Sequence, residues 1–205
     1  MKYKDRAEAG ALLADQLKKY LRMENTIVLG LPRGGVITAF EVAKKLQLPL
    51  DITVVRKIGA RQNPEFAIGA IDENGKGLFS EAPPQHIVED EKKEAARRIQ
   101  TYRGNRPPID LKGKTAILVD DGIATGFTMR AAIRSAKTKG AEKIVAATPI
   151  ASPSTIAELR KEADEVIALS SPASFIAVGQ FYEYFPQTTD EEVIDALYKK
   201  PNLDR

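Results

Sequence analysis

The segment Thr115-Ala-Ile-Leu-Val-Asp-Asp-Gly-Ile-Ala-Thr-Gly-Phe-Thr128 joins an apolar run to a turn made of small and polar residues. Residues 115–119 predict a buried strand, because short apolar runs bounded by turn residues are typical of core strands. Behind the turn, apolar residues recur at helical spacing from 129 to 136, which predicts a helix ending near Gly140. The segment therefore predicts a strand, a loop and a helix in succession.

The same alternation of strands and helices recurs along most of the chain. Further strands are predicted from short apolar runs at residues 26–30, 51–55, 143–150 and 165–169. Further helices are predicted from periodic stretches at residues 5–21, 36–46, 88–102 and 152–162. Such alternation favours parallel strands joined by right-handed crossovers. The predicted fold class is therefore α/β, with a doubly wound, mainly parallel sheet.

Two regions depart from this alternation. Residues 59–84 are rich in Gly, Pro, Asn and charge and contain two short apolar pieces, which predicts an inserted mobile hairpin. Beyond residue 170, aromatic residues cluster ahead of a short predicted helix at 190–198, which indicates a small cap over the sheet. We expect a single domain over residues 1–205, with a flexible loop at about 57–84 and a hood at about 170–205.

Composition limits the class of protein. Hydrophobic residues make up 43% of the 205 residues and charged residues 29%, as in ordinary globular proteins. No apolar run approaches the roughly 20 residues that cross a bilayer, and residues 1–13 are charged and amphipathic, unlike a signal peptide. We therefore expect a soluble, cytoplasmic protein without a membrane partner.

Residue usage also excludes several kinds of site. The chain has no cysteine, which excludes disulfides, thiolate nucleophiles and cysteine metal sites, and its one histidine, His86, cannot form a histidine cluster. The net charge of +3 arises from 31 basic and 28 acidic residues that are interspersed. This balance is a weak argument for nucleic acid, and no nucleic-acid partner is expected.

The loop at 120–128 carries the chemistry that matters most. Asp120 and Asp121 follow a buried strand, and ligands bind at the carboxyl edge of open α/β sheets. Residues 124–128 offer backbone amides, two hydroxyls and a helix N-terminus to a phosphate, and Gly126 permits close approach. The two carboxylates can accept hydrogen bonds from sugar hydroxyls. The implied ligand is a ribose 5-phosphate, although Asp-Asp-Gly could also simply turn the chain.

This run resembles the signature of type I phosphoribosyltransferases that binds 5-phosphoribosyl 1-pyrophosphate (PRPP), with Gly122 as a mild departure from the family's aliphatic residue. The resemblance implies a PRPP site, and the residues it assigns are Asp120, Asp121, Gly122, Ala124, Thr125, Gly126, Phe127 and Thr128. It also implies Mg²⁺ as cofactor, with Asp120 and Asp121 acting on the ion largely through water or sugar hydroxyls.

Two other segments resemble family elements. Pro32-Arg-Gly-Gly35 is similar to the pyrophosphate-binding loop, which assigns Arg33, Gly34 and Gly35 to the leaving group. The run from Arg56 and Lys57 to Pro64 resembles the start of the flexible loop in adenine phosphoribosyltransferases, with two additional residues before the proline. Alone, the first segment could be a structural turn and the second two solvated bases at a strand end. The implied catalytic residues are Arg33, Arg56, Lys57, Asp120 and Asp121.

The acceptor is less well specified than the donor. Ala124 stands where 6-oxopurine enzymes of the family usually carry an aspartate, which favours an adenine-like acceptor over hypoxanthine or guanine. Phe181, Tyr182 and Phe185 could stack on a heterocycle in the hood, or they could be core residues. The resemblance also implies a possible homodimer.

The resemblance implies transfer of the phosphoribosyl group from PRPP to a small nitrogenous acceptor, with release of pyrophosphate. A PRPP-binding regulator that has lost turnover is the main alternative, but Arg33, Arg56 and Lys57 favour an enzyme because a sensor needs no leaving-group clamp. A kinase resembling PRPP synthetase is a third reading, and it normally requires a longer, duplicated chain.

Overall fold

The computed structural model describes residues 2–60, 63–108 and 110–198 of the chain. In chain order, its helices and strands are α1 (Arg6–Gln16), β1 (Thr26–Gly30), α2 (Gly34–Leu46), β2 (Leu50–Ile52), β3 (Val55–Ala60), β4 (Asn63–Asp72), β5 (Gly77–Phe79), α3 (Gln85–Arg103), β6 (Thr115–Val119), α4 (Phe127–Thr138), β7 (Lys143–Ile150), α5 (Pro153–Leu159), β8 (Glu165–Ser170) and α6 (Asp190–Tyr198). Two short 3₁₀ turns lie at Lys18–Tyr20 and Val178–Phe181.

Five strands form a parallel sheet in the order β2-β1-β6-β7-β8. Side chains of β6 alternate between its two faces. Ile117 and Val119 pack with residues of α1 and α2, and Ala116 and Leu118 pack with residues of α4. Because both faces are covered by helices, the central strands are apolar throughout, as expected for a parallel sheet. The predicted doubly wound α/β fold is confirmed.

The sequence prediction is wrong about where the second strand ends. A strand was expected over 51–55 with Arg56 and Lys57 following it, but β2 ends at Ile52, and both basic residues lie inside β3. The backbone amide of Thr53 still donates to Gly30 O at 3.1 Å, after which the chain leaves the parallel sheet. Residues 52–55 are a continuous β-branched run, and its pattern does not change at the residue where the chain leaves one sheet for the other. The end of β2 could therefore not be predicted from the pattern.

A second, antiparallel sheet is formed by β3, β4 and β5. It contains the predicted hairpin, since β4 pairs with β5 across a short turn, and β3 adds a third strand. A small apolar cluster around Ile58, Ile68 and Ile71 packs against Ile87 and Val88 of α3. Arg61 and Gln62 of the proposed flexible loop lie outside the described residues.

The turn between β4 and β5 is tied to the rest of the molecule by Arg103. This side chain is 5% exposed, donates to both carboxylate oxygens of Asp51 and to Ile52 O, and lies 3.5 Å from Glu73 Oε2. Glu73 in turn pairs with Lys139 Nζ at 2.5 Å. The network therefore joins the turn to the edge strand β2 and to the end of α4.

The segment after β8 returns over the carboxyl edge of the sheet and meets the beginning of the chain. Tyr3 N donates to Phe181 O at 2.8 Å, and Tyr3 forms a parallel bridge with Tyr182. Farther along, Val193 and Ala196 of α6 pack against Val36 of α2 and Tyr102 of α3. Among the described residues, no helix is both long enough and apolar enough to cross a bilayer.

Candidate active site

The two aspartates at the end of β6 lie at the centre of the carboxyl edge. β1 pairs with β6 in parallel, with Gly30 opposite Val119, and Leu31 N donates to Val119 O at 2.9 Å. The loop after β1 therefore runs beside the loop after β6. This adjacency brings the segment that holds Arg33 next to Asp120 and Asp121.

Glycines allow these two loops to touch. A Cβ atom on Gly35 would lie 2.8 Å from Asp120 Oδ1 and 2.9 Å from Val119 O. A Cβ atom on Gly34 would collide with the carboxylate of Asp121. Because real Cβ atoms do not approach other atoms so closely, position 35 requires glycine against the backbone of β6, and a side chain at 34 would displace the Asp121 carboxylate from this contact. The structure thus brings the predicted pyrophosphate loop and the predicted ribose-binding acids together.

The predicted phosphate loop leads into the N-terminus of α4. Gly126 has a φ of 79°, a left-handed conformation that suits glycine, and it precedes the first residue of the helix. Ala124 and Thr125 are exposed, and the Ala124 carbonyl accepts a 2.5 Å hydrogen bond from the Thr155 hydroxyl. The positive end of the helix is therefore open to an anion at this loop.

The beginning of the loop is fixed by its neighbours. Ile123 N donates to Ile150 O at 2.8 Å, and Ile123 forms an isolated bridge with Ala151. A Cβ atom on Gly122 would collide with Val178 of the segment that covers the sheet edge. The departure from the family pattern at Gly122 thus has a steric reason in this fold.

Arg6 is a site residue that sequence reasoning missed. Its Nε donates to Asp121 Oδ2 at 2.6 Å, and its Nη1 donates to Pro186 O at 2.8 Å. The guanidinium carbon lies 3.7 Å from the centroid of the Phe185 ring, a cation–π geometry. Arg6 is the first residue of a helix more than a hundred positions before Asp121, and no motif in the sequence marks it.

The acid pair is electrostatically strained. Burial raises the pKa of Asp120 well above its usual range, and the charge of Asp121 raises it further. Burial also raises the pKa of Asp121, although Arg6 acts in the opposite direction. When both carboxylates are ionised, the one arginine bonded to Asp121 leaves an excess of negative charge. Hydroxyl donors or a cation would stabilise the ionised pair.

Arg33 lies next to a second acid, Asp190. Its Nη1 is 3.8 Å from Asp190 Oδ1, whereas the hydroxyl of Tyr102 and the Nη1 of Arg97 donate to Asp190 at 2.5 and 2.8 Å. Burial and Asp190 together raise the pKa of Tyr102 to about 12, so this hydroxyl remains a donor at neutral pH. The carboxylate is therefore satisfied mainly by Tyr102 and Arg97, and Arg33 keeps donors for another group. The Pro32–Arg33 peptide bond is cis.

The other two predicted pyrophosphate residues are on the antiparallel sheet. Arg56 is opposite Ile71 and Lys57 is opposite Ala70 in the pairing of β3 with β4. The Nε of Arg56 donates to Glu91 of α3 at 2.6 Å. Whether these bases contact a pyrophosphate stays a prediction, and in this structure they lie on a different sheet from the one that positions Arg33.

The predicted acceptor-stacking residues pack next to Asp121. Tyr182 is 3% exposed, its hydroxyl donates to Asp121 O at 2.6 Å, and its ring stacks on Phe185 with centroids 4.7 Å apart. Phe181 packs against Phe175 at 5.3 Å. One face of the Phe185 ring carries Arg6. The rings thus support one another and the acid pair, and acceptor stacking by them stays a prediction.

Comparison with known proteins agrees with this geometry. Residues 2–185 match the family model described as the phosphoribosyl transferase domain. A Mycobacterium tuberculosis protein, provisionally named a phosphoribosyl transferase, is 46% identical over 95% of this chain. The chain spans 46% of that relative's length.

Two further similarities concern proteins of more comparable length. A uracil phosphoribosyltransferase of a Nocardioides species is 28% identical over 93% of this chain and 80% of its own length. The crystal structure of TT1426 from Thermus thermophilus superposes with a TM-score of 0.81 at 43% identity, over 97% of this chain and 99% of that one. The family match covers both the strand-end acids and the glycine loop beside them, so the chain belongs to the phosphoribosyl transferase domain family.

Proposed function

We propose that the protein transfers the 5-phosphoribosyl group from PRPP to a nitrogen acceptor and releases pyrophosphate. The observation that carries this proposal is the contact between two loops. The acids that would hold ribose hydroxyls, Asp120 and Asp121, lie against Gly34 and Gly35 of the loop that would hold the pyrophosphate. PRPP carries its pyrophosphate on the ribose carbon next to those hydroxyls, so the two loops match two adjacent parts of one molecule.

The roles of the residues follow from the same geometry. The 5-phosphate would bind the amides and hydroxyls of residues 124–128 at the N-terminus of α4. In the reaction the bond between the anomeric carbon and the pyrophosphate oxygen breaks, and the bonding pair leaves with pyrophosphate. The acceptor nitrogen forms the new bond to the anomeric carbon, which inverts, and the proton of the acceptor passes to water or to the released pyrophosphate. Arg33 and the loop amides stabilise the negative charge that grows on the leaving group.

The acid pair also fits the cofactor that the family implies. Asp120 and Asp121 supply hard oxygen donors, which Mg²⁺ prefers, and their mutual repulsion would be relieved by a cation. Within the described ranges, no group of three or more His, Cys, Asp or Glu side chains could hold a metal ion. We propose that these two aspartates hold Mg²⁺ together with substrate oxygens. When bound, the ion neutralises pyrophosphate charge and so improves the leaving group.

An adenine-like acceptor is the finer part of the proposal. Ala124 carries no carboxylate that could act on a purine N7 proton, which disfavours 6-oxopurines. The acceptor would enter beside Asp121 and meet the partly exposed Phe185, whose ring is backed by the buried Tyr182. The Nocardioides relative is named for uracil, so pyrimidines belong in any acceptor panel.

The test is pyrophosphate release by the purified protein with PRPP and Mg²⁺. The panel comprises adenine, hypoxanthine, guanine, uracil and simple amines, each against a reaction without acceptor. We expect release with one class of acceptor and formation of the matching nucleotide. Tight PRPP binding without release under any acceptor would refute the transferase and leave a binding protein.

A further inference from the structure

An open cleft beside the glycine loop is lined by three arginines. It has a volume of about 450 Å³, and its walls include Arg6, Arg33, Arg98 and the aromatic residue Phe185. Gly34 forms part of the same wall. No acidic residue is among those that line the cleft in the described part of the chain. Such a lining attracts a polyanion, because arginine forks match phosphate oxygens.

Arg98 lies deep in this wall, although it belongs to none of the motifs. The residue is 9% exposed, and its Nη1 lies 3.5 Å from Pro32 O at the start of the glycine loop. Its Nε pairs with Glu94 at 2.8 Å, but Glu94 also accepts two hydrogen bonds from Arg97, at 2.7 and 2.9 Å. Arg97 also pairs with Asp190, which lies beside Arg33, so Arg97, Arg98 and Arg33 share two carboxylates and exceed them by one positive charge.

Arg6 occupies the junction between the cleft and the acid pair. One of its nitrogens bonds Asp121 and another bonds Pro186 O, while its guanidinium plane covers Phe185. A ligand whose hydroxyls reach Asp121 and whose anionic group enters the cleft would meet Arg6 at the boundary. Arg33 lies in the same cleft, and the acid that it pairs with, Asp190, is bound more closely by two other side chains.

We propose that Arg6 and Arg98 complete, with Arg33, a three-arginine clamp for the diphosphate group of the sugar donor. The inference rests on the proposed function and extends it to two residues outside the recognised motifs. A diphosphate fits better than an anionic acceptor, because Gly34 places the cleft against the loop that would receive the leaving group. Arg98 touches that loop through Pro32 O, so it is expected to position the loop as well as to attract the anion.

The test compares three ligands, each titrated by calorimetry with Mg²⁺ present: inorganic pyrophosphate, PRPP and ribose 5-phosphate. The variants are Arg98→Gln and Arg6→Gln, with Arg134→Gln as control, since Arg134 is half-exposed on α4 and pairs with Glu162 away from the cleft. We expect Arg98→Gln to weaken pyrophosphate and PRPP by about ten- to a hundredfold, the range for a hydrogen bond to a charged group. Binding of ribose 5-phosphate should change by less than about threefold, because that ligand lacks the diphosphate.

Arg6→Gln should also weaken pyrophosphate by at least about tenfold. The control should bind all three ligands as the wild type does. Wild-type affinity for pyrophosphate in both cleft variants would overturn the clamp. An equal loss for ribose 5-phosphate in Arg98→Gln would overturn it too, since the effect would then be a general disturbance of the site.

Lysine variants replace a glutamine variant that fails to fold, as judged by loss of a cooperative unfolding transition. Arg98→Lys and Arg6→Lys retain the charge and lose the planar fork, so an intermediate loss of pyrophosphate affinity is expected. Unchanged affinity in both would count against the clamp. A wild-type protein that binds pyrophosphate through Arg98 but releases no pyrophosphate from PRPP with any acceptor would refute the proposed function and leave the anion site standing.

Discussion

The two sheets of the molecule hold their charged residues in different ways. In the parallel sheet, β6 lies between β1 and β7 with helices on both faces, and its C-terminal end carries Asp120 and Asp121. The antiparallel sheet has a small apolar cluster of its own and carries Arg56 and Lys57 along β3. The positions of Asp120 and Asp121 are therefore fixed by the main core, whereas Arg56 and Lys57 belong to a separate sheet.

This difference indicates which parts of the site are preorganised. The acid pair, the glycine loop and the phosphate loop are neighbours through strand pairing in one sheet, and a substrate would find them already in place. Arg56 is engaged by Glu91 on α3, so it would have to exchange that partner for a ligand. We therefore expect substitutions at the acid pair to have larger effects than substitutions on β3.

The largest effect is expected for the double substitution Asp120→Asn and Asp121→Asn. Both carboxylates would lose their charge, so affinity for PRPP with Mg²⁺ should fall at least about a hundredfold in calorimetric titration. Asp110→Asn is the matched control, because Asp110 is exposed and precedes β6. Unaltered PRPP affinity in the double variant would mean that the carboxyl edge of the parallel sheet is not part of the PRPP site.

Alanine substitutions at Gly34 and Gly35 should have different effects, one mainly on PRPP affinity and the other mainly on the free energy of unfolding. In Gly35→Ala the new methyl group meets Val119 O and the Cα of Asp120, which are backbone atoms, so the free energy of unfolding should fall by about 1–3 kcal/mol. In Gly34→Ala it meets the side-chain ends of Asp121 and Arg6, which can move. Denaturant unfolding should therefore change less, while PRPP affinity falls. A larger loss of stability in Gly34→Ala than in Gly35→Ala, with PRPP affinity lost in Gly35→Ala alone, would contradict the described contact between the loops.

Arg56→Gln tests whether the antiparallel sheet contributes to turnover. With an acceptor that supports pyrophosphate release, kcat/KM should fall about tenfold, the loss of one charge-assisted contact. Glu91→Gln should leave kcat/KM unchanged or raise it, because it frees Arg56. Equal losses in both variants would mean that the ion pair merely holds β3 against α3, and the pyrophosphate role of Arg56 would be withdrawn.

The smallest expected effect concerns pH. The folded-state pKa of Asp120 lies above the usual value of about 3.9, so the folded protein takes up this proton at a pH where the unfolded chain does not. Ionised Asp120 destabilises the folded state at pH 8. Lowering the pH through the raised pKa protonates Asp120, so this destabilisation should decrease. Asp120→Asn lacks this charge at every pH.

Urea unfolding of both proteins at pH 8 and pH 5 measures the difference. The variant should be more stable than the wild type at pH 8, and its advantage should shrink at pH 5. The hydrogen bond that Asp121 N donates to Oδ1 of residue 120 can form in both proteins, so it does not confound the comparison. An advantage that grows on acidification would contradict the raised pKa.

Much of the parallel sheet could be predicted from the sequence because its information is local. Apolar runs predicted the bounds of β1 and β6 correctly, and the helix at 190–198 was also correct. The acids and the phosphate loop lie within one contiguous stretch, so their proximity follows from chain connectivity alone. Gly34 and Gly35 were placed by resemblance, and the structure adds the steric reason for them.

The cleft could not be predicted, since its residues are far apart in the chain. Arg6 lies in a helix whose sequence pattern is amphipathic and Arg98 in one whose pattern is that of a solvated helix, and nothing in their spacing refers to Arg33. The passage of the chain from β2 to β3 was missed for a related reason. Pairing with a distant strand, and not the local β-branched composition, decides which sheet a residue joins.

The network around Arg103 has a consequence for any closing motion. Glu73, at the β4–β5 turn, is held by Arg103 and Lys139, so a tilt of the antiparallel sheet would leave that corner in place. Val55 pairs with Asp72 beside this corner, and Ala60 lies at the other end of β3, about 17 Å along the strand. A rigid tilt of the sheet about this corner would thus move Ala60 several times farther than Arg56. The basic residues of β3 would be displaced little, and the far end of the strand would be displaced most.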